Sequence, residues 1–82
     1  MNFIPDDPDA LLRRKASAAA LTAAGYPTAS STLASLASRG GGPRFRHYSR
    51  YPLYRWADLL EWAKSRLGPV VCSTSELDRP AA

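Results

Sequence analysis

Apolar positions between residues 11 and 67 fall into two rhythms. Over about residues 14–24 the chain is made of good helix formers, and Ala16, Ala20, Leu21 and Ala24 share one stripe at helical spacing. Gly25 is placed to stop that helix. Tyr26-Pro27-Thr28 forms the connection, and Thr28 or Ser30 is expected to cap a second helix reaching about Ser38. Leu33, Leu36 and Ala37 share its inner face, while Thr32, Ser35, Ser38 and Arg39 fall on other faces. Gly40-Gly41-Gly42-Pro43 then breaks the helix. Beyond the break the rhythm shortens. Residues 45–48, Phe-Arg-His-Tyr, and 51–54, Tyr-Pro-Leu-Tyr, read as two short strands joined by a turn at Ser49-Arg50. Pro52 predicts an edge or irregular position for the second strand. A third helix is expected over about residues 56–67, with Leu59, Leu60, Trp62, Ala63 and Leu67 as its apolar positions and Gly68-Pro69 as its stop.

These elements predict a mostly α fold with a small two-stranded hairpin. Residues 1–10 read as an acidic arm, in which Pro5 and Pro8 oppose helix and Phe3 and Ile4 are placed to pin the arm to the body. Residues 11–67 form the folded body, and residues 68–82 a flexible tail in which Val70-Val71 is the one apolar pair suited to docking. With 82 residues, one domain is the ceiling. A chain of this size buries only about 60% of the surface it exposes when unfolded, so its core is marginal.

Charge sharpens the picture. The whole chain carries a formal +4. The arm holds Asp6, Asp7 and Asp9 without a base, so residues 11–68, with ten basic residues against Asp58 and Glu61, carry +8. Such a body favours polyanions, nucleic acid ahead of an anionic membrane surface. No apolar run approaches the roughly 20 residues of a membrane span, and the acidic N-terminus does not resemble a signal peptide. Cys72 is the only cysteine, which argues against a disulfide-stapled secreted domain and for the cytoplasm.

Three groups of polar residues are candidates for contact with a nucleic acid. Thr28, Ser30, Ser31 and Ser35 place hydroxyls along the start of the second helix, where phosphates bind, and Arg39 reaches a phosphate or a guanine from its end. The same hydroxyls also read as caps and a solvated face. Arg44, Arg46, His47, Ser49 and Arg50 make the hairpin basic, with Arg50 at the presumed tip. Charge that keeps an edge strand soluble is the competing reading. Arg13, Arg14 and Lys15 open the first helix against its dipole, a cost that phosphate contact would offset; a solvated basic face is the competing reading. The aromatic rings fit core or hairpin packing better than base stacking, with Tyr48 and Tyr51 the least settled. Catalysis has little support: His47 is the only histidine, Asp58 and Glu61 serve to offset Arg55 and Lys64, and no phosphate loop occurs. No cofactor, metal or small-molecule substrate is expected.

Several runs together resemble a known family. They are Leu11-Leu12, Thr32-Leu33, Arg39-Gly40-Gly41-Gly42-Pro43-Arg44-Phe45, Leu53-Tyr54-Arg55 and Asp58-Leu59-Leu60-Glu61-Trp62. In this order they are similar to the small winged helix-turn-helix proteins related to MerR, excisionases and AlpA-type regulators, over residues 11–67. The resemblance implies a second helix in the DNA major groove and a wing on backbone or minor groove. It implies sequence-selective binding of double-stranded DNA by a bacterial or mobile-element transcriptional regulator or recombination directionality factor. Two departures stand out: residues 25–31 make a longer connection than the usual short turn, and the second helix carries Ser and Ala in place of Arg, Asn or Gln. A non-catalytic protein-interaction adaptor on the same fold is the alternative. Because so few side chains are suited to base contact, a dimer or cooperative multimer on DNA is expected, with the acidic arm reaching a neighbour's basic body.

Overall fold

The chain runs through strand β1 (Leu11–Arg13), helix α1 (Arg14–Ala23), helix α2 (Ser30–Arg39), strand β2 (Arg46–Tyr48), strand β3 (Tyr51–Arg55) and helix α3 (Trp56–Ser65), in a computed structural model that describes residues 4–72. Three helices and a three-stranded antiparallel sheet of order β1-β3-β2 make the architecture mixed α/β. The helices lie where periodicity puts them. The expected two-stranded hairpin is corrected to a three-stranded sheet, because Leu11, Leu12 and Arg13 pair opposite Arg55, Tyr54 and Leu53. A three-residue strand that turns directly into a helix shows no alternation of its own.

This third strand also corrects the position of β3. It is the central strand, although it contains Pro52. Register explains the tolerance. Tyr48 and Tyr51 flank the two-residue loop, so they form the hydrogen-bonded pair and His47 opposite Pro52 is a non-hydrogen-bonded one. The imide nitrogen of Pro52 therefore faces away from β2. On that side β1 has already ended at Arg13, opposite Leu53. No ladder bond is lost.

Ala18, Ala20, Leu21, Leu33, Tyr54, Trp56, Leu59 and Ala63 form the buried core, with Ile4, Leu12, Phe45, Leu60 and Trp62 packed against it. Of the apolar stripe expected on α1, Ala20 and Leu21 are buried and Ala24 packs against the core, while Ala16 is exposed; Ser17 and Ala18 are buried in addition. α1 docks against both α2 and the sheet, and the Ser17 hydroxyl is satisfied by donating to the Arg13 carbonyl at 2.8 Å. α3 stops at Ser65, short of the expected Leu67, which is 63% exposed.

The acidic arm acts as a helix cap. The N–H of Trp56 donates to the Ala10 carbonyl and that of Ala57 to the Pro8 carbonyl, both at 2.9 Å. The leading amides of α3 thus find partners although no side chain caps that helix. The Asp7 carboxylate accepts from the Asp9 N–H at 2.9 Å, and Ala10 N–H bonds the Asp7 carbonyl, which folds the segment into a turn. Ile4 is half-buried against the core; Phe3 lies outside the described residues. Asp9 then meets Arg55 at 2.7 Å, and Arg55 also reaches Asp58 at 3.3 Å. The expected pairing of Glu61 with Lys64 is absent among the described ion pairs, both residues being exposed to water.

The glycine break is also built for contact. Gly40 and Gly41 take φ values of 92°, and the Trp62 indole donates to the Gly41 carbonyl at 2.9 Å, tying the break to α3. At Gly42 an added Cβ would lie 2.9 Å from the Leu36 Cβ. Leu33→Ala should lower the unfolding free energy by about 2–5 kcal/mol, since Leu33 is fully buried. Gly42→Ala should cost about 1–3 kcal/mol by displacing Leu36. Urea titration followed through tryptophan fluorescence checks both.

Candidate nucleic-acid interface

Neither α1 nor α2 has a side-chain cap. Arg13 and Ala29 occupy the cap positions, and no acidic residue sits in either first turn. The expected cap by Thr28 or Ser30 is corrected accordingly. Thr28 instead serves the connection: its hydroxyl donates to the Tyr26 carbonyl at 2.9 Å and its N–H to the Thr22 hydroxyl at 3.2 Å. Helix N-termini present unpaired N–H groups and the positive end of the dipole, so both attract anions.

The two uncapped ends meet in one groove. Arg13, Arg14, Lys15, Ser30, Ser31 and Pro52 line it together with three alanines, and no carboxylate does. Arg14 is fixed there. Its Nε donates to the Tyr54 hydroxyl at 3.2 Å, and its guanidinium lies 6.0 Å from the Tyr54 ring. The terminal nitrogens of Arg14 and the Lys15 ammonium make no ion pair with the described residues. Such a groove matches a phosphate: one fixed guanidinium, a lysine, hydroxyl donors and helix N-termini border it. Ser35 is exposed on α2 one turn beyond Ser31, and Arg39 is exposed at the far end of the helix.

The hairpin separates the remaining candidates by face. Side chains alternate along a strand, so Leu12, Tyr54, Pro52 and His47 point to the helical side of the sheet. Leu11, Arg13, Tyr51, Leu53, Arg55, Arg46 and Tyr48 point to the open side. His47 packs edge-on against Phe45 with ring centres 5.5 Å apart. Ser49 at the tip takes a φ of 58°, whereas Arg50 does not, which is the sign pattern of a type II′ turn. Arg50 is exposed there, two residues before Pro52 in the groove. Arg44 and Arg46 line a separate groove on the open side. Thus Arg14, Lys15, Ser30 and Ser31 converge, Ser49 and Arg50 stand at the tip nearby in sequence, and Arg44, Arg46 and Thr28 are directed elsewhere.

Arg13 borders the groove, but strand alternation turns its guanidinium to the open side, 4.3 Å from the centre of the Tyr51 ring. One contributor is visible only in three dimensions: Pro52 enters the groove through strand register alone. Of the aromatic residues, Tyr54 and Trp56 are buried, Phe45 and Trp62 half-buried, and Tyr48 is 72% exposed. The hydrogen bond to the Asp9 carboxylate, with its charge and that of Asp58, raises Arg55 above the usual arginine range. Arg55 is thereby a structural cation held by carboxylates. Among the described residues, no three of the His, Cys, Asp and Glu side chains group to hold a metal ion. No helix there is long and apolar enough to cross a membrane.

Tyr54→Phe should keep the fold and cost about 1.5–3 kcal/mol, the net worth of one hydrogen bond to a charged donor. It should also release Arg14, visible by NMR as loss of the slowed exchange of its Nε proton. No family model matches this chain, and neither a curated protein nor a solved structure does.

Proposed function

We propose that the chain binds double-stranded DNA sequence-selectively as a winged helix-turn-helix protein. α1 and α2 are the helix pair, α2 the helix offered to the major groove, and the β2–β3 hairpin the wing. The observation that carries this reading is the carboxylate-free groove in which Arg14 and Lys15 meet Ser30 and Ser31. A duplex phosphate seated there directs α2 towards the bases. The exposed Ser31, Thr32 and Ser35 are small, so the helix backbone approaches closely, and Arg39 is the one long basic side chain on α2. The wing tip brings Arg50 to phosphate or minor groove. Pairing of β1 with β3 gives the wing a braced base, which supports the reading. The role is that of a small bacterial or mobile-element regulator or excisionase-type factor, non-catalytic, cytoplasmic and nucleoid-associated when bound.

Binding by more than one copy belongs to the same proposal. Specific binding exceeds nonspecific binding by about 4–10 kcal/mol, and a good bidentate base contact gives about 1–3. One α2 with a single arginine falls short, so copies on repeated half-sites supply the remainder. Asp9 is held by the chain's own Arg55, which leaves Asp6 and Asp7 as the arm's acids for a neighbour.

Selection from a random duplex library should enrich a defined sequence, and fluorescence anisotropy on that duplex should show affinity falling steeply with salt. Lys15→Gln should weaken binding to all duplexes alike and make the logarithmic salt slope shallower by about 1. Absence of duplex binding at about 50 mM salt overturns the reading, since the electrostatic term is strong there. Equal binding of every duplex removes the sequence selectivity.

A further inference from the structure

An antiparallel sheet with one free face normally turns polar side chains to water. Here the free face is partly apolar. Leu11 is 56% exposed, Tyr51 43% and Tyr48 72%, and Leu53 lies between them in register. Leu11, Phe45 and Leu53 line a groove on this side together with Arg44 and Arg46. Those two arginines are exposed and form no ion pair with the described residues. The other cation of the groove, Arg55, is already neutralised by Asp9 and Asp58.

We propose that this groove docks an extended acidic peptide segment of a partner protein, one with an apolar side chain followed at two-residue intervals by two carboxylates. The match is one of charge and spacing. Arg44 and Arg46 are two residues apart, a separation of about 7 Å in extended chain. Alternate carboxylates on an extended peptide repeat at the same distance and point the same way as an apolar side chain two residues before them. That side chain meets Leu11 and Leu53 while the carboxylates meet the arginines. Asp9 and Asp58, which also line the groove, are held by Arg55. A nucleic acid fits less well because it repeats a phosphate at every residue and offers no apolar side chain to Leu11 and Leu53. A second copy related by a two-fold axis would set Arg44 and Arg46 against their own equivalents. The peptide groove and the duplex groove are independent, since neighbouring residues Leu53 and Pro52 of β3 point to opposite faces.

The test is an NMR titration of the isotopically labelled full chain, without DNA, by the synthetic peptide Gly-Ser-Leu-Ser-Asp-Ser-Asp-Ser-Gly. The proposal expects saturable shifts of the Leu11, Phe45 and Leu53 amides with those of Ser31 and Ser35 unmoved. The double variant R44E/R46E should keep a dispersed spectrum and weaken the peptide by about tenfold or more, as two ion pairs become repulsions. Several results overturn the proposal: no saturation at millimolar peptide, or equal binding of peptides with Asn for Asp or Ser for Leu. So does a footprint on α1 and α2. A single-stranded oligonucleotide giving the same footprint at lower concentration, or shifts that follow protein concentration without peptide, overturns it in favour of nucleic acid or a second copy. None of these results bears on duplex binding, which is measured separately.

Discussion

Burial of the Tyr54 ring organises this domain. Of the eight apolar core side chains three are alanines, so one aromatic side chain in the central strand, 1% exposed, fills much of the space between sheet and helices. A buried phenol needs a polar partner, and Arg14 supplies it. The same contact holds Arg14 at the mouth of the α1–α2 groove. Core packing and the position of the groove's Arg14 are therefore one interaction. Phe45, with its ring centre 5.5 Å from that of Tyr54, extends the packing into the strand that carries the hairpin. The orientation of the hairpin relative to α1 thus depends on the same ring.

The second constraint is the junction between β3 and α3. A strand running directly into a helix leaves amides without partners, and here the arm answers with the carbonyls of Pro8 and Ala10. Arg55, the last strand residue, is clamped by Asp9 before it and Asp58 after it. Sheet, arm and α3 are thereby tied together at one junction. Surface ion pairs of this kind add little stability singly, so the geometry of the junction matters more than its charge.

From β3 the surface divides in two. Its helical side leads through Pro52 to a groove with bases and no acids, and its open side through Leu53 to a groove of mixed character. The first suits a continuous polyanion, and the second suits a chain that alternates apolar and acidic groups. A small domain gains two surfaces because a three-stranded sheet with helices on one side leaves the other uncovered.

Much of this was legible in the residues. Three helices, the glycine stop after Arg39, the hairpin about Ser49-Arg50 and the basic body follow from local periodicity, turn chemistry and charge, which depend on near neighbours in the chain. The inward faces of α2 and α3 were legible for the same reason. Strand β1 was not, because three residues carry no period and its partners lie 40 to 44 residues away. The central place of β3 depends on that pairing, and only there does Pro52 fall on a position that lacks a ladder bond. The arm's role as a cap and the Tyr54–Arg14 contact are likewise long-range. The sequence determined which residues are basic and which segments are helical. The tertiary structure decided that Arg14, Lys15, Ser30 and Ser31 share a groove while Arg44 and Arg46 lie on the other side. Strand register assigns side chains to faces, and register is a property of paired strands rather than of either one.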